Sequence, residues 1–315
     1  MQTIVPGSRV AAAPVVATKR RVDLRRALTV ALFLLPAASV YSLFVLFPLI
    51  QAGYYGLYRW KGLGPLQDYV GLANFERVLR DEVFQRALQH NLVILALSLT
   101  IQLPIALGLA LLVRRGMRGR AFFRTVFFLP YVLSEVVTGL IWNFIYHPQS
   151  GINNLLVKIV SGFEPRGWLG ETNSVLLAIF VVITWKFVGF HFILYLAGLQ
   201  SIPTELEEAA WLDGASTARA IRDVTIPLLG PTVRLSVFLS VLGSIQFFDL
   251  VWVMTTGGPV GASETMATYM YKFGFQHFAL GYGSAVSVVI FLICFGFALA
   301  YQGLVMRRDY VNPIN

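Results

Sequence analysis

The chain has 315 residues, of which 57% are hydrophobic and only 13% charged, with a mean hydropathy of +0.68; soluble domains carry charge at about a quarter of their positions. So much apolar surface calls for lipid. The formal charge of +9 does not mark a nucleic-acid binder, because the basic residues fall between apolar runs instead of along one continuous face. The single cysteine, Cys294, excludes an intramolecular disulfide and leaves the redox compartment open.

Near the N-terminus Lys19, Arg20, Arg21, Arg25 and Arg26 precede an apolar run. A cleaved secretory signal would follow such charges with about 7 to 15 apolar residues and a small-residue cleavage site. The run from Leu28 to Ile50 continues uncharged well past that length, which predicts a retained first membrane helix.

A helix needs about 20 apolar residues to cross the hydrocarbon layer with every backbone group paired internally. The predicted spans are Leu28 to Ile50, Asn91 to Val113, Thr125 to Tyr146, Ser174 to Leu199, Leu235 to Thr256 and Ser284 to Met306. Pro36, Pro104 and Pro130 lie inside them and predict kinks, since each removes one ladder bond. The fold class is therefore all-α integral membrane with six transmembrane helices. The expected organisation is a tail at 1–26, a membrane domain at 27–308 and a tail at 309–315.

Lys and Arg favour cytoplasmic connections, most strongly in short loops. With the N-terminus inside, the inner set is Arg9, Lys19, Arg20, Arg21, Arg25, Arg26, Arg114, Arg115, Arg118, Arg120, Arg124, Arg219, Arg222, Arg234, Arg307 and Arg308. The outer set, Arg59, Lys61, Arg77, Arg80, Arg86, Lys158, Arg166 and Lys272, is half as large. Both termini are expected on the cytoplasmic side. In the long external connection, Asn74 to Leu88 reads as a helix that either lies along the interface or packs on the bundle.

The connection 201–231 is polar and carries clear local signals. Thr204 and Glu207 stand at capping-box spacing, so a short helix should start there and run through Trp211 and Leu212. Gly214 supplies a left-handed residue to end it. Ser216 then caps a second short helix through Val224, which should stop before Pro227. By spacing alone this is a plain connecting hairpin, or a face that another protein approaches closely at Ala209 and Ala210.

The run Glu208, Ala209, Ala210, Trp211, Leu212, Asp213, Gly214 and Ala215, followed by Val224, Ile226, Pro227 and Pro231, resembles the EAA loop of permease subunits of ATP-binding-cassette (ABC) importers. Ile221 stands where an aromatic is usual and Val224 where isoleucine is usual. Two further runs, Phe248-Asp249 with Thr256-Gly257-Gly258-Pro259, and Phe128-Leu129-Pro130-Tyr131, are similar to carbohydrate permeases of the maltose and multiple-sugar type. The likeness extends from Leu28 onward. It implies a type I ABC importer transmembrane domain whose cytoplasmic coupling helix-turn-helix docks on an ATPase through Glu208, Ala209, Ala210, Asp213, Gly214 and Ala215.

The resemblance also implies a second homologous permease subunit, two ATP-binding ATPase subunits and an extracytoplasmic sugar-binding protein. ATP and Mg would be bound by the ATPases, leaving no cofactor on this chain.

Ionisable side chains at membrane depth are functional candidates. Glu135, Lys186 and Asp249 are three such groups; the similar depth of Glu135 and Lys186 suggests an ion pair, serving either transport or helix packing. Sugars are held by hydrogen bonds to hydroxyls and by stacking on aromatic rings. Ser240, Gly243, Ser244 and Phe247 recur on one helical face, which also suits close helix packing by small residues. Tyr131 and Glu135 share another face, and Thr184, Phe187 and His191 a third. Laid in register with the maltose-type family, Tyr131, Glu135, His191, Ser240, Gly243, Ser244 and Phe247 fall at pathway-lining positions.

The chain is not expected to be an enzyme. Its lysines are followed by Arg, Gly, Ile, Phe and Phe, so no phosphate loop exists; His90, His147, His191, His277 and Cys294 show no metal-ligand spacing. An intramembrane enzyme would need a nucleophile with a base partner, and none stands at meaningful spacing. The runner-up is an ion-gradient-driven secondary transporter using Glu135, Lys186 or Asp249, although no inverted repeat is evident.

Overall fold

The computed structural model describes residues 24–113, 117–149, 151–159 and 164–307. The N-terminal tail up to residue 23, with Arg9, Lys19, Arg20 and Arg21, lies outside the described residues, as do Arg114, Arg115, Arg308 and the 309–315 tail. The chain divides into two compact units, Met1–Ile50 and Gln51–Asn315.

Four helices among the described residues are long and apolar enough to cross a bilayer: α1 (Leu28–Tyr55), α3 (Glu82–Leu112), α7 (Val175–Ser201) and α13 (Leu280–Met306). Between α1 and α3 stands α2 (Ala73–Arg80). Two bent pairs complete a set of six spans. One is α4 (Arg120–Val132) with α5 (Glu135–Ile145), bent by 96°; the other is α9 (Thr217–Leu228) with α10 (Gly230–Ile245), bent by 65°. The shorter connecting helices are α6 (Gly151–Ile159), α8 (Thr204–Leu212), α11 (Asp249–Thr255) and α12 (Met266–Tyr271). No strand occurs among the described residues.

The prolines act differently from one another. A proline ring strikes the carbonyl four residues before it and offers no N–H. At Pro48, Pro104 and Pro227 the helix answers with a wide π-type turn, Ser42–Leu46, Ser98–Gln102 and Ile221–Thr225 respectively. The threatened carbonyl, on Phe44, Thr100 or Asp223, sits at the centre of that turn. The widening makes room and the helix continues at Pro48 and Pro104; Pro36 lies within continuous α-helix, and α9 runs through Pro227 to Leu228, just before the 65° bend, instead of stopping at Val224.

The third span does not continue as helix after its proline. Leu133 and Ser134 turn extended, and the Ser134 side chain caps α5 by accepting from the Val137 N–H. The kink expected at Pro130 is thus a full break three residues later. The fifth span also differs from expectation: its helix begins at Gly230 and breaks at Gln246–Phe248 before α11.

The predicted helix Asn74 to Leu88 is two helices, because Asp81 is extended and caps α3, accepting from the Val83 and Phe84 N–H groups at 2.9 and 3.0 Å. Its α2 part packs on α13, with Val78 fully buried and Arg77 lying 4.6 Å over the Tyr282 ring. It is part of the bundle.

The central helix is α7. It buries residues on all sides, from Val175 to Leu196, and the second half of α3 and the whole of α4 lie against it. At Gly189 a Cβ would collide with the Phe127 carbonyl of α4, so only glycine permits that approach. Three apolar clusters result: one around Phe84, Met266, Tyr269 and Val286, one around Ile94, Ile179 and Val251, and one around Ala110, Phe192, Tyr195 and Leu229.

Asn91 on α3 ties the broken fifth span together. Its Nδ2 donates to the carbonyls of Ser244 (2.6 Å) and Ile245 (3.3 Å) where α10 ends, and its Oδ1 accepts the Met266 N–H (2.9 Å) where α12 begins. Asn91→Leu, close in size but without these groups, is expected to cost about 3 kcal/mol, since each stranded buried partner costs about 1–3 kcal/mol. The midpoint of thermal aggregation in detergent should fall by several degrees, while Leu92→Ala, at a half-exposed neighbour, should leave it in place.

Candidate functional site

Two places stand out: the hairpin formed by α8 and α9, and a cavity at the breaks of the third and fifth spans.

The hairpin turn is built by a Schellman motif. Gly214, at φ +82°, donates its N–H to the Trp211 carbonyl and Ala215 donates to the Ala210 carbonyl, at 3.0 and 2.9 Å. An open space beside the Gly214 Cα means that its φ, not crowding, demands glycine. Ser216 caps α9 through the Arg219 N–H at 3.4 Å. The expected capping box at Thr204 does not form. Pro203 occupies the cap position, and the Glu207 carboxylate instead accepts from the Thr225 hydroxyl at 2.7 Å, which clamps the two arms together.

On this hairpin Glu208, Ala209, Asp213 and Gly214 are exposed, and Ala210 and Ala215 half-buried. Beside them Leu206 and Trp211 are each 43% exposed and Leu212 is 89% exposed. A polar hairpin that displays three large apolar side chains is a surface suited to a protein partner. Leu206 and Leu212 were signalled only by being apolar in a polar loop.

The cavity, of about 370 Å³, is lined from α3 by Ser98 and Gln102, from the first break by Tyr131 and Glu135, and from α7 by Phe187, Phe190 and His191. From the second break come Ser240, Gly243, Ser244, Gln246, Phe247, Phe248 and Asp249. All seven residues expected to line a pathway are among these, and Phe187 joins them. Thr184, grouped with Phe187 and His191 by helical spacing, does not line it. Ser98, Gln102, Phe190, Gln246 and Phe248 were missed; Ser98 and Gln102 carried a signal, two polar residues one turn apart in an apolar run.

Aromatic rings form a continuous wall: Tyr131 stacks on Phe190 at 5.1 Å and meets Phe187 edge-on at 6.0 Å, and Phe187 meets Phe247 at 6.4 Å. His191 Nδ1 lies 2.8 Å from Ser236 Oγ, fixing the imidazole against α10. Irregular backbone is tolerated at membrane depth only where protein buries it or it lines a cavity. Both breaks border this one.

Lys186 and Glu135 do not form the suggested ion pair. The Lys186 ammonium donates instead to the carbonyl of Leu133, which the break leaves without a helical partner, and the residue is only 2% exposed. The cation is a structural brace at the bend.

The profile of the family described as "binding-protein-dependent transport system inner membrane component" matches residues 102–309. The chain belongs to that family. It is 36% identical over 272 residues to a probable ABC transporter permease protein of Pyrococcus horikoshii, covering 86% of this chain and 93% of the relative. It is 31% identical over 272 residues to the diacetylchitobiose uptake system permease protein of Streptomyces coelicolor, covering 82% and 77% respectively. In fold it is similar to a chain of a bacterial alginate ABC transporter solved in complex with an alginate pentasaccharide-bound periplasmic protein, with a TM-score of 0.77, 24% identity, and coverage of 90% of this chain and 96% of that one. As a member of the family, the chain is a multi-pass permease subunit of an ABC importer with the type I transmembrane fold, a transport component and not an enzyme. That sets aside the ion-gradient reading.

Because Lys186 holds a carbonyl and not a carboxylate, exchanging the charges (Glu135→Lys with Lys186→Glu) is expected not to restore the monodisperse yield that Lys186→Glu loses. Lys186→Arg, which keeps a cationic donor, should retain most of it. Size-exclusion profiles after detergent extraction read both outcomes.

Proposed function

We propose that this permease forms half of the translocation pathway for a di- or oligosaccharide, which an extracytoplasmic sugar-binding protein delivers. A second homologous permease supplies the other half. Two ATPase subunits bind ATP and Mg, and the hairpin at 201–231 docks on one of them through Glu208, Ala209, Ala210, Asp213, Gly214 and Ala215, with Leu212 and Trp211 as apolar anchors. The termini then face the cytoplasm, in keeping with the excess of Lys and Arg in the tails and in the second and fourth connections.

The observation that carries the sugar assignment is the cavity's mixture of groups. Hydroxyls (Ser98, Ser240, Ser244), amides (Gln102, Gln246) and carboxyls (Glu135, Asp249) face a wall of rings. That combination suits a pyranose, with polar edges and an apolar face. The diacetylchitobiose permease relative gives independent support.

Gly214→Val forces a β-branched residue into a left-handed backbone and Leu212→Asp removes the exposed anchor; each is expected to abolish co-purification of the ATPase and to cut transport at least tenfold while the variant chain still reaches the membrane. Transport driven by a proton gradient with no nucleotide, or an ATPase that stays bound to both variants, would overturn the proposal.

A further inference from the structure

Burying a charge in a site of low dielectric is costly unless a counter-charge meets it. Among the described residues, no Lys or Arg lines the cavity. Lys186, outside the lining, is buried with its ammonium on the Leu133 carbonyl; it keeps its charge there, and that single charge offsets at most one carboxylate of the wall. What the wall does offer is two carboxyl groups, Glu135 and Asp249, each the first residue of the helix that follows a break.

Tyr131, Phe187, Phe190, Phe247 and Phe248 contribute the rings, whose faces carry the negative part of the aromatic quadrupole. Carboxylates accept hydrogen bonds and donate none, so Glu135 and Asp249 suit sugar hydroxyls and oppose carboxylate, sulfate or phosphate substituents. The amides of Gln102 and Gln246 can donate to a sugar oxygen, yet a neutral amide does not replace a counter-cation.

We infer that this half of the pathway selects uncharged oligosaccharides and rejects anionic ones, with Glu135 and Asp249 as the residues that set this preference. The inference rests on the sugar-importer reading and narrows it by excluding uronates, sulfated sugars and sugar or glycerol phosphates.

The test is equilibrium dialysis of the complete importer, purified without its binding protein so that only the membrane site selects. The radiolabelled probes are maltotriose and tri-N-acetylchitotriose, both neutral, and trigalacturonate, of similar length but carrying carboxylates. The wild type is expected to bind at least one neutral trimer tenfold or more better than trigalacturonate. Glu135→Gln with Asp249→Asn should weaken neutral binding, because acceptors for sugar hydroxyls are lost, and should still move the ratio of trigalacturonate to neutral-trimer binding at least tenfold toward trigalacturonate, a shift in ratio that a merely structural role would not produce. Equal binding of the charged and neutral trimers by the wild type, or an unchanged ratio in the double variant, would overturn the inference. Failure of every trimer to bind a complex that still hydrolyses ATP would instead remove the sugar reading, and this inference with it.

Discussion

An interrupted helix inside a bilayer leaves backbone N–H and C=O groups without water to satisfy them, and most of the architecture around the cavity follows from how this chain meets that demand. Ser134 caps the helix after the first break and the Thr265 hydroxyl donates to the Phe247 carbonyl in the second, and two side chains reach in from neighbouring helices. Lys186 reaches from α7 to the Leu133 carbonyl at the break of the third span, and Asn91 reaches from α3 to the end of α10 and the start of α12. Because both braces come from neighbouring helices, each break is fixed by tertiary structure as well as by its own local sequence. The irregular backbone can then present Tyr131, Glu135, Phe247 and Asp249 to a common space.

The same constraint explains which interruptions do not become breaks. Where a wide turn can absorb the proline, as before Pro48 and Pro104, the ladder continues and no outside donor is needed. At Ser98–Gln102 this has a second effect: the wide turn carries Ser98 and Gln102, the polar residues that α3 contributes to the cavity.

Much of this was legible in the sequence, because membrane spans are written in composition over about 20 residues, a length that local noise does not erase. The hairpin turn was legible for a different reason: Gly214 and Ser216 act on their immediate neighbours, and short-range chemistry transfers directly from spacing to structure. What sequence spacing could not supply was any choice between equally suitable partners far apart in the chain. Glu207 could return to the Thr204 N–H or reach Thr225, and Lys186 could meet Glu135 or Leu133. Glu207 took the distant partner over the local one, and Lys186, with two distant candidates, took the carbonyl that the break had left open. Asn91 carried no signal at all, since its three partners lie more than 150 residues away and belong to backbone groups that become needy only once a span breaks. Ser240, Gly243, Ser244, Tyr131 and His191 were readable because they sit on regular helix; Gln246 and Phe248 lie in the break, where helical periodicity no longer says which way a side chain faces.

Hairpin and cavity are joined by short covalent paths. From His191 in the cavity wall, α7 runs on to Ser201, and α8 starts at Thr204; on the other arm α9 leads through the 65° bend into α10, which carries Ser240, Gly243 and Ser244 back to the cavity. Ten residues of α7 between His191 and Ser201 span about 15 Å at 1.5 Å per residue. With Glu207 hydrogen-bonded to Thr225, the two arms of the hairpin are fastened to each other, so a displacement applied to one is shared by both. The helices that flank the hairpin are also the two linked by His191 and Ser236. The two arms of the hairpin thus lead into two adjoining helices of the cavity wall.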